Sequence, residues 1–165
     1  MSLTRALKHL FAPPWTVRRA FPAAALDRIE AAVKASEARH RGEVRFAVEG
    51  ALEFLPVLQG LTPRARALEV FSLLRVWDTE DNSGVLIYIQ LVDHDIEIVA
   101  DRGIAGLIGQ QEWDAICRRM EEAFRRRQYD EGVLAGMAEV SALLAAQFPA
   151  GSLNSDELPD RPVVL

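Results

Sequence analysis

Apolar residues recur along this chain with two periods, and the switches between them mark its elements. In residues 2–12 (SLTRALKHLFA), Leu3, Leu7, Leu10 and Phe11 share one helical face, Arg5 and Lys8 lie elsewhere, and Pro13-Pro14 stops the turn. Pro22 opens a second helix over 23–40, with a stripe of Leu26, Ile29 and Val33 and Gly42 as its stop. In residues 43–50 Val44, Phe46 and Val48 alternate against Glu43, Arg45 and Ala47, which predicts a strand. Residues 50–62 read as a loop holding Pro56 and Gly60. Thr62-Pro63 is an N-cap and first-turn pair for a helix to about Val76, with Ala65, Leu68, Phe71 or Ser72, and Leu74 or Arg75 as its stripe.

Asp81-Asn82-Ser83-Gly84 is turn chemistry and leads into GVLIYIQLV, where both alternating faces are apolar. Val85, Ile87, Ile89 and Leu91 fall on one face and Leu86, Tyr88 and Val92 on the other, as in a central strand covered on both sides. Asp93-His94 reads as a hairpin turn, although it lacks the favoured glycine. The return strand DIEIVAD buries Ile96, Ile98 and Ala100 and sets Glu97, Val99 and Asp101 opposite, nearer a sheet edge. Two helices follow, over 110–127 (Trp113, Ile116 or Cys117, Met120, Phe124) and 130–147 (Val133, Met137, Val140, Leu144). The last residues have no period and read as an extended tail.

A strand–helix–strand unit followed by a hairpin makes a small mixed sheet, and the remaining helices must cover both its faces. The expected fold is an α/β/α sandwich spanning 23–148, preceded by a basic amphipathic segment, 1–22, and followed by an extended C-terminal tail, 149–165.

Charge alters this picture at the N-terminus. The whole chain carries −5, yet residues 1–22 hold Arg5, Lys8, Arg18 and Arg19 and no carboxylate, so the remainder stands near −9. An acidic body argues against nucleic acid, which needs concentrated basic surface, and is compatible with cations. The basic 2–12 helix fits either peripheral contact with an anionic membrane or docking on its own domain or a partner. With one cysteine, Cys117, neither an intramolecular disulfide nor a cysteine-based zinc cluster is available. No run of 18 apolar residues and no signal-peptide pattern occurs, so the expected location is cytoplasmic, with contact at the inner face of the membrane through residues 2–12.

Strand direction sorts the carboxylates. The start of the 84–92 strand lies beside the end of its hairpin partner, so Asp78, Glu80 and Asp81 approach Asp101. A parallel 43–50 strand adds Glu43 at the same end, while Asp93, His94 and Asp95 lie at the other as a turn. Glu43, Asp78, Glu80, Asp81 and Asp101 are therefore the candidate ligands for Ca²⁺ or Mg²⁺; the alternative is a solvated acidic loop neutralised by Arg75 and Arg102. DTEDNSG is not an EF-hand loop, because Ser83 and Ile89 stand where that motif needs Gly and Glu. His40 is the nearby histidine available as a base, although a capping or surface role also fits it. His9 is expected to be exposed, and Cys117, Trp77 and Trp113 to lie in the core. There is no GxSxG, phosphate-binding glycine loop or HExxH.

ALEVFSLLRVW with its acidic loop, DNSGVLIYIQLVD, EIVADRGIAG and RRRQYDEGVLAGM stand in the order and spacing of the TPM domain family, which residues 23–148 resemble. The resemblance implies an α/β/α sandwich, a divalent-cation site at the Asp81 end of the sheet, and acid-phosphatase activity. It also implies two departures: Ala105 stands where the family commonly has Glu, and Gly109 near its later Asp. The reading is a TPM-like binding or regulatory domain with a weak Ca²⁺/Mg²⁺ site, acting through protein partners. The alternatives are a metal-assisted phosphohydrolase and a purely structural interaction module.

Overall fold

In the computed structural model, which describes residues 2–151 and 156–165, the elements run α1 (Leu3–Leu10), α2 (Thr16–Ala20), α3 (Ala23–Glu37), β1 (Glu43–Glu49), α4 (Phe54–Leu58), α5 (Pro63–Leu73), β2 (Gly84–Gln90), β3 (Asp95–Ala100), α6 (Arg102–Ala105), α7 (Gln110–Arg125), α8 (Tyr129–Gln147) and β4 (Val163–Val164). One mixed sheet has the order β3-β2-β1-β4. β1 pairs in parallel with β2 and β4, and β3 runs antiparallel to β2.

β1 and β2 are buried at every residue because both faces of the sheet are covered. On one face Val44, Phe46, Val48, Val85, Ile87 and Ile89 pack under α3, α7 and α8. The other face, with Ala47, Leu86, Tyr88 and Val99, packs under α5 through Ala67, Val70 and Phe71. This is an α/β/α sandwich. The first hairpin strand, Ile96 and Ile98 of the second, the α7 stripe through Trp113, Ile116, Cys117, Met120 and Phe124, and the α8 stripe through Val133, Met137, Val140 and Leu144 are buried as their spacing predicts. Ala100, by contrast, is half-buried, and Val99 is buried on the opposite face because α5 covers it.

Local chemistry sets the ends of these elements. The Thr62 hydroxyl accepts the Ala65 N–H at 3.1 Å, with Pro63 in the first turn of α5. The hairpin turns without glycine because His94 takes a left-handed φ of 54°.

Several expectations are corrected. The 50–62 loop contains α4. The buried stripe of α5 runs through Ala67, Val70 and Phe71, leaving Leu68 exposed, because those positions meet the sheet. Trp77 is 47% exposed at the end of α5, beside the Arg75 guanidinium. His9 is buried: its Nδ1 accepts the Leu52 N–H at 2.9 Å and its Nε2 meets Asp93 at 3.2 Å. The turn residue Asp93 is thus an anchor for α1. Within the predicted tail, residues 152–155 lie outside the described residues, while 156–165 fold back along β1 and end in β4.

Candidate functional site

The predicted site sits where β1 and β2 begin and β3 ends. Glu43 is in register with Gly84, Val85 pairs with Ala100, and the Asp101 N–H donates to the Gly84 carbonyl at 2.8 Å. Topology therefore brings the five backbones to one edge. The loops are locked there by close approach: a Cβ on Gly84 would stand 1.9 Å from the Val76 carbonyl oxygen, and one on Gly103 2.3 Å from that of Asp81. The Gly103 N–H donates to the Asn82 carbonyl at 2.9 Å, and Ser83 N–H to the Thr79 hydroxyl at 2.8 Å.

The five side chains go different ways. Asp78 is exposed and ion-paired with Arg75 at 3.0 Å. Asp81 is exposed and meets Arg41 at 3.3 Å. Glu80 is exposed, and its N–H donates to the Glu157 carboxylate at 2.9 Å. Asp101 is buried; its Oδ1 accepts the Arg102 N–H at 2.7 Å as the cap of α6, while its Oδ2 is buried without a protein partner. Glu43 is also buried and accepts the N–H groups of Glu157 and Leu158 at 3.1 and 3.0 Å, with its pKa pushed up by burial.

Among the described residues, the acids whose oxygens come within 4.8 Å of one another are Glu37, Asp156 and Asp160. Glu37 Oε1 accepts the Val44 N–H at 2.9 Å, and the carboxyl shares a hydrogen bond with Asp160. Burial pushes its pKa up to about 9, so it is neutral at pH 7. Arg45, buried beside this pair, donates to the carbonyls of Pro159 and Arg161. Sequence reasoning misses this group because two of its three acids come from an aperiodic tail, where the acidic run Asp156-Glu157 is the only signal.

The other reactive candidates are sealed. His40 is fully buried, its Nδ1 lies 3.0 Å from the Gly42 carbonyl, and burial pulls its pKa to about 4. It does not cap an exposed helix end or stand open to substrate. The Cys117 thiol is buried and pushed up to about 12, as befits an inert core residue.

A mixed-sheet α/β/α sandwich with an acidic loop junction at one sheet edge is the class that fold and site define. The family model for the TPM domain matches residues 18–143, and the chain belongs to that family. It is similar to the BA42 protein of the psychrophilic bacterium Bizionia argentinensis, at 26% identity and a TM-score of 0.77, with 87% of this chain and 94% of that one covered. The N-terminal domain of a P. gingivalis protein shares the fold at 19% identity and a TM-score of 0.61, over 83% of this chain and 90% of that one. No curated protein matches.

Proposed function

We propose that this chain works as a cytoplasmic TPM binding module with a weak Ca²⁺ or Mg²⁺ site at the junction of the 78–83 loop and Asp101, serving protein partners. The observation that carries the cation reading is the Asp101 Oδ2, a buried carboxylate oxygen with no protein partner beside a loop of exposed acids. Buried polar atoms are normally satisfied, and hard cations favour oxygen ligands from loops. Asp101 would hold the ion with Asp81 and Asp78, whose exposed side chains would have to leave Arg41 and Arg75 to converge on it, since the three do not stand within 4.8 Å of one another as they lie.

Weakness follows from the neighbours. Arg41 and Arg75 already neutralise Asp81 and Asp78, Glu43 is engaged by two tail amides, and Ala105 supplies no ligand. Next to the loop, half-exposed Trp77 carries Arg75 at 5.7 Å over its ring, two residue types enriched where protein contacts are strongest. A phosphohydrolase would need a proton-transfer group at an open site, and His40 is sealed and neutral.

The test is calorimetric titration of the full chain with CaCl₂ and MgCl₂, with phosphatase turnover measured on the same preparation. The expected Kd is about 10⁻⁴ to 10⁻³ M, as in weak extracellular calcium modules, and Asp101→Asn abolishes binding. Asparagine still caps a helix, so the variant keeps its fold. A silent wild type, or an Asp101→Asn variant that titrates normally, overturns the site. Binding lost instead in Asp156→Asn would move it to the Glu37 cluster, and metal-dependent turnover would establish the phosphohydrolase reading.

A further inference from the structure

Helix α1 is mounted with its polar side inward. Arg5 Nε and Nη2 grip the Asp93 carboxylate at 3.0 and 2.7 Å, and Nη1 donates to the Leu61 carbonyl at 2.5 Å. His9 bridges Leu52 and Asp93, and Ala6 is fully buried against Leu52 and Val57. Three attachments on one face fix the helix orientation, so the apolar face is held outward rather than left to choose. That face consists of Leu3 (57% exposed), Leu7 (39%), Leu10 (55%), Phe11 (77%) and, past the Pro-Pro turn, Trp15 (58%). A contiguous set of large apolar side chains displayed in this way marks an interaction site.

Charge identifies what covers it. Lys8, Arg18 and Arg19 are exposed around these residues, and residues 2–22 contain no carboxylate, although the rest of the chain is strongly acidic. A groove of about 540 Å³ beside Trp15 is lined by Arg19, His94, Arg127 and Tyr129; the acid in its wall, Asp130, is already held by Arg28. Pairing two copies of the chain through this face would set Lys8, Arg18 and Arg19 against themselves, which disfavours a symmetric dimer. An anionic bilayer has no such conflict. Its phosphates take the cations and its acyl boundary takes Leu, Phe and Trp. Among the described residues no helix is long and apolar enough to cross a membrane, so contact is at the surface.

We propose that the outer face of α1 with the Trp15–Arg19 groove docks this chain onto an anionic lipid surface, with Leu3, Leu7, Leu10, Phe11 and Trp15 inserting and Lys8, Arg18 and Arg19 lying among the phosphates. The reading is independent of the cation site.

Cosedimentation of the full chain with phosphatidylglycerol-containing vesicles tests it, with pure phosphatidylcholine vesicles as the control. Binding is expected to phosphatidylglycerol vesicles, to weaken as salt is raised, and to be small on phosphatidylcholine. Phe11→Glu and Leu7→Glu should each lower partitioning about tenfold or more, and Arg18→Glu/Arg19→Glu by a similar factor, with unchanged melting temperature because these side chains are exposed. In a Trp77→Phe background, tryptophan emission should shift to the blue on binding, since Trp113 is already buried and Trp15 is not. Failure to sediment with phosphatidylglycerol vesicles overturns the proposal, as does binding that survives Phe11→Glu. A dimer in solution that Leu7→Glu dissolves would assign the face to a second copy of the chain.

Discussion

The two terminal segments of this domain are fastened by the same means and do opposite things with their apolar residues. The C-terminal segment turns Leu158 into the core under α5, sets Val163 beside Ala47, and lets Glu43 and Arg45 bind its backbone. The N-terminal helix also rests on polar contacts, an Arg5 ion pair and a His9 hydrogen bond to half-buried Asp93, but points its leucines and Phe11 at solvent. Amphipathicity alone does not say which face of a segment meets the body. Where a domain offers a half-buried carboxylate and an N–H in need of an acceptor, the polar face docks; where it offers an apolar gap, the apolar face does. The tail therefore completes the fold, and α1 displays a surface.

The sharpest way to break this contrast is to loosen the tail. Arg45→Ala removes the guanidinium that holds two tail carbonyls and stands beside the Asp160 carboxylate. It should cost about 3 kcal/mol or more in urea unfolding, the usual penalty for stripping one partner from a buried charged group. A loss under about 1 kcal/mol would mean that the tail is incidental to stability.

Glu37 sharpens the comparison through pH. Its folded pKa of about 9 stands above the ordinary 4.5, so its stabilising contribution is complete below 4.5 and is lost as pH rises through 9. Glu37→Gln keeps an acceptor for Val44 and a donor for Asp160 without the proton, so its melting temperature relative to wild type should climb between pH 5 and pH 9. His40 acts in the opposite sense: its folded value of about 4 lies below 6.5, so its contribution is complete above 6.5 and disappears as pH falls through 4. A Glu37→Gln difference that stays flat with pH would mean that the carboxyl is ionised in the fold.

At the other terminus the expected effects are smaller and divide by face. His9→Ala, on the docked side, strips the Leu52 N–H of its acceptor and should cost about 1–2 kcal/mol. Phe11→Glu, on the displayed side, should stay within about 0.5 kcal/mol of wild type. Equal losses from the two would show that α1 rotates on its seat.

Much of the sandwich is legible in the residues because periodicity reports burial directly. The doubly apolar 84–92 run implies a covered strand, and Trp113, Ile116, Met120 and Phe124 mark the face α7 buries. Strand direction likewise brings Glu43, Asp81 and Asp101 to one edge. What eluded the reading depends on single long-range partners. Asp93 looks like a turn residue until Arg5 and His9 reach it, and nothing in the spacing shows that Glu43 accepts two amides from residues 157 and 158. Such contacts leave no period behind, and an aperiodic tail offers no face to align. Topology puts the backbones of the carboxylates at one edge, but arginines whose reach spacing does not encode select the partners of Asp78 and Asp81.

Gly84 and Gly103 give the acidic loop a particular evolutionary latitude. Each admits a carbonyl oxygen so closely that even a methyl group would collide, so both ends of the 77–83 segment are clamped through main-chain atoms. Between the clamps the Thr79 hydroxyl supports that path, while the exposed Asp78, Glu80 and Asp81 side chains contribute little to it. Asp78, Glu80 or Asp81 can therefore be exchanged for other residues at little cost to the fold, provided that the length of the segment and both glycines are kept. The loop behaves as a cassette whose contents drift inside a fixed frame.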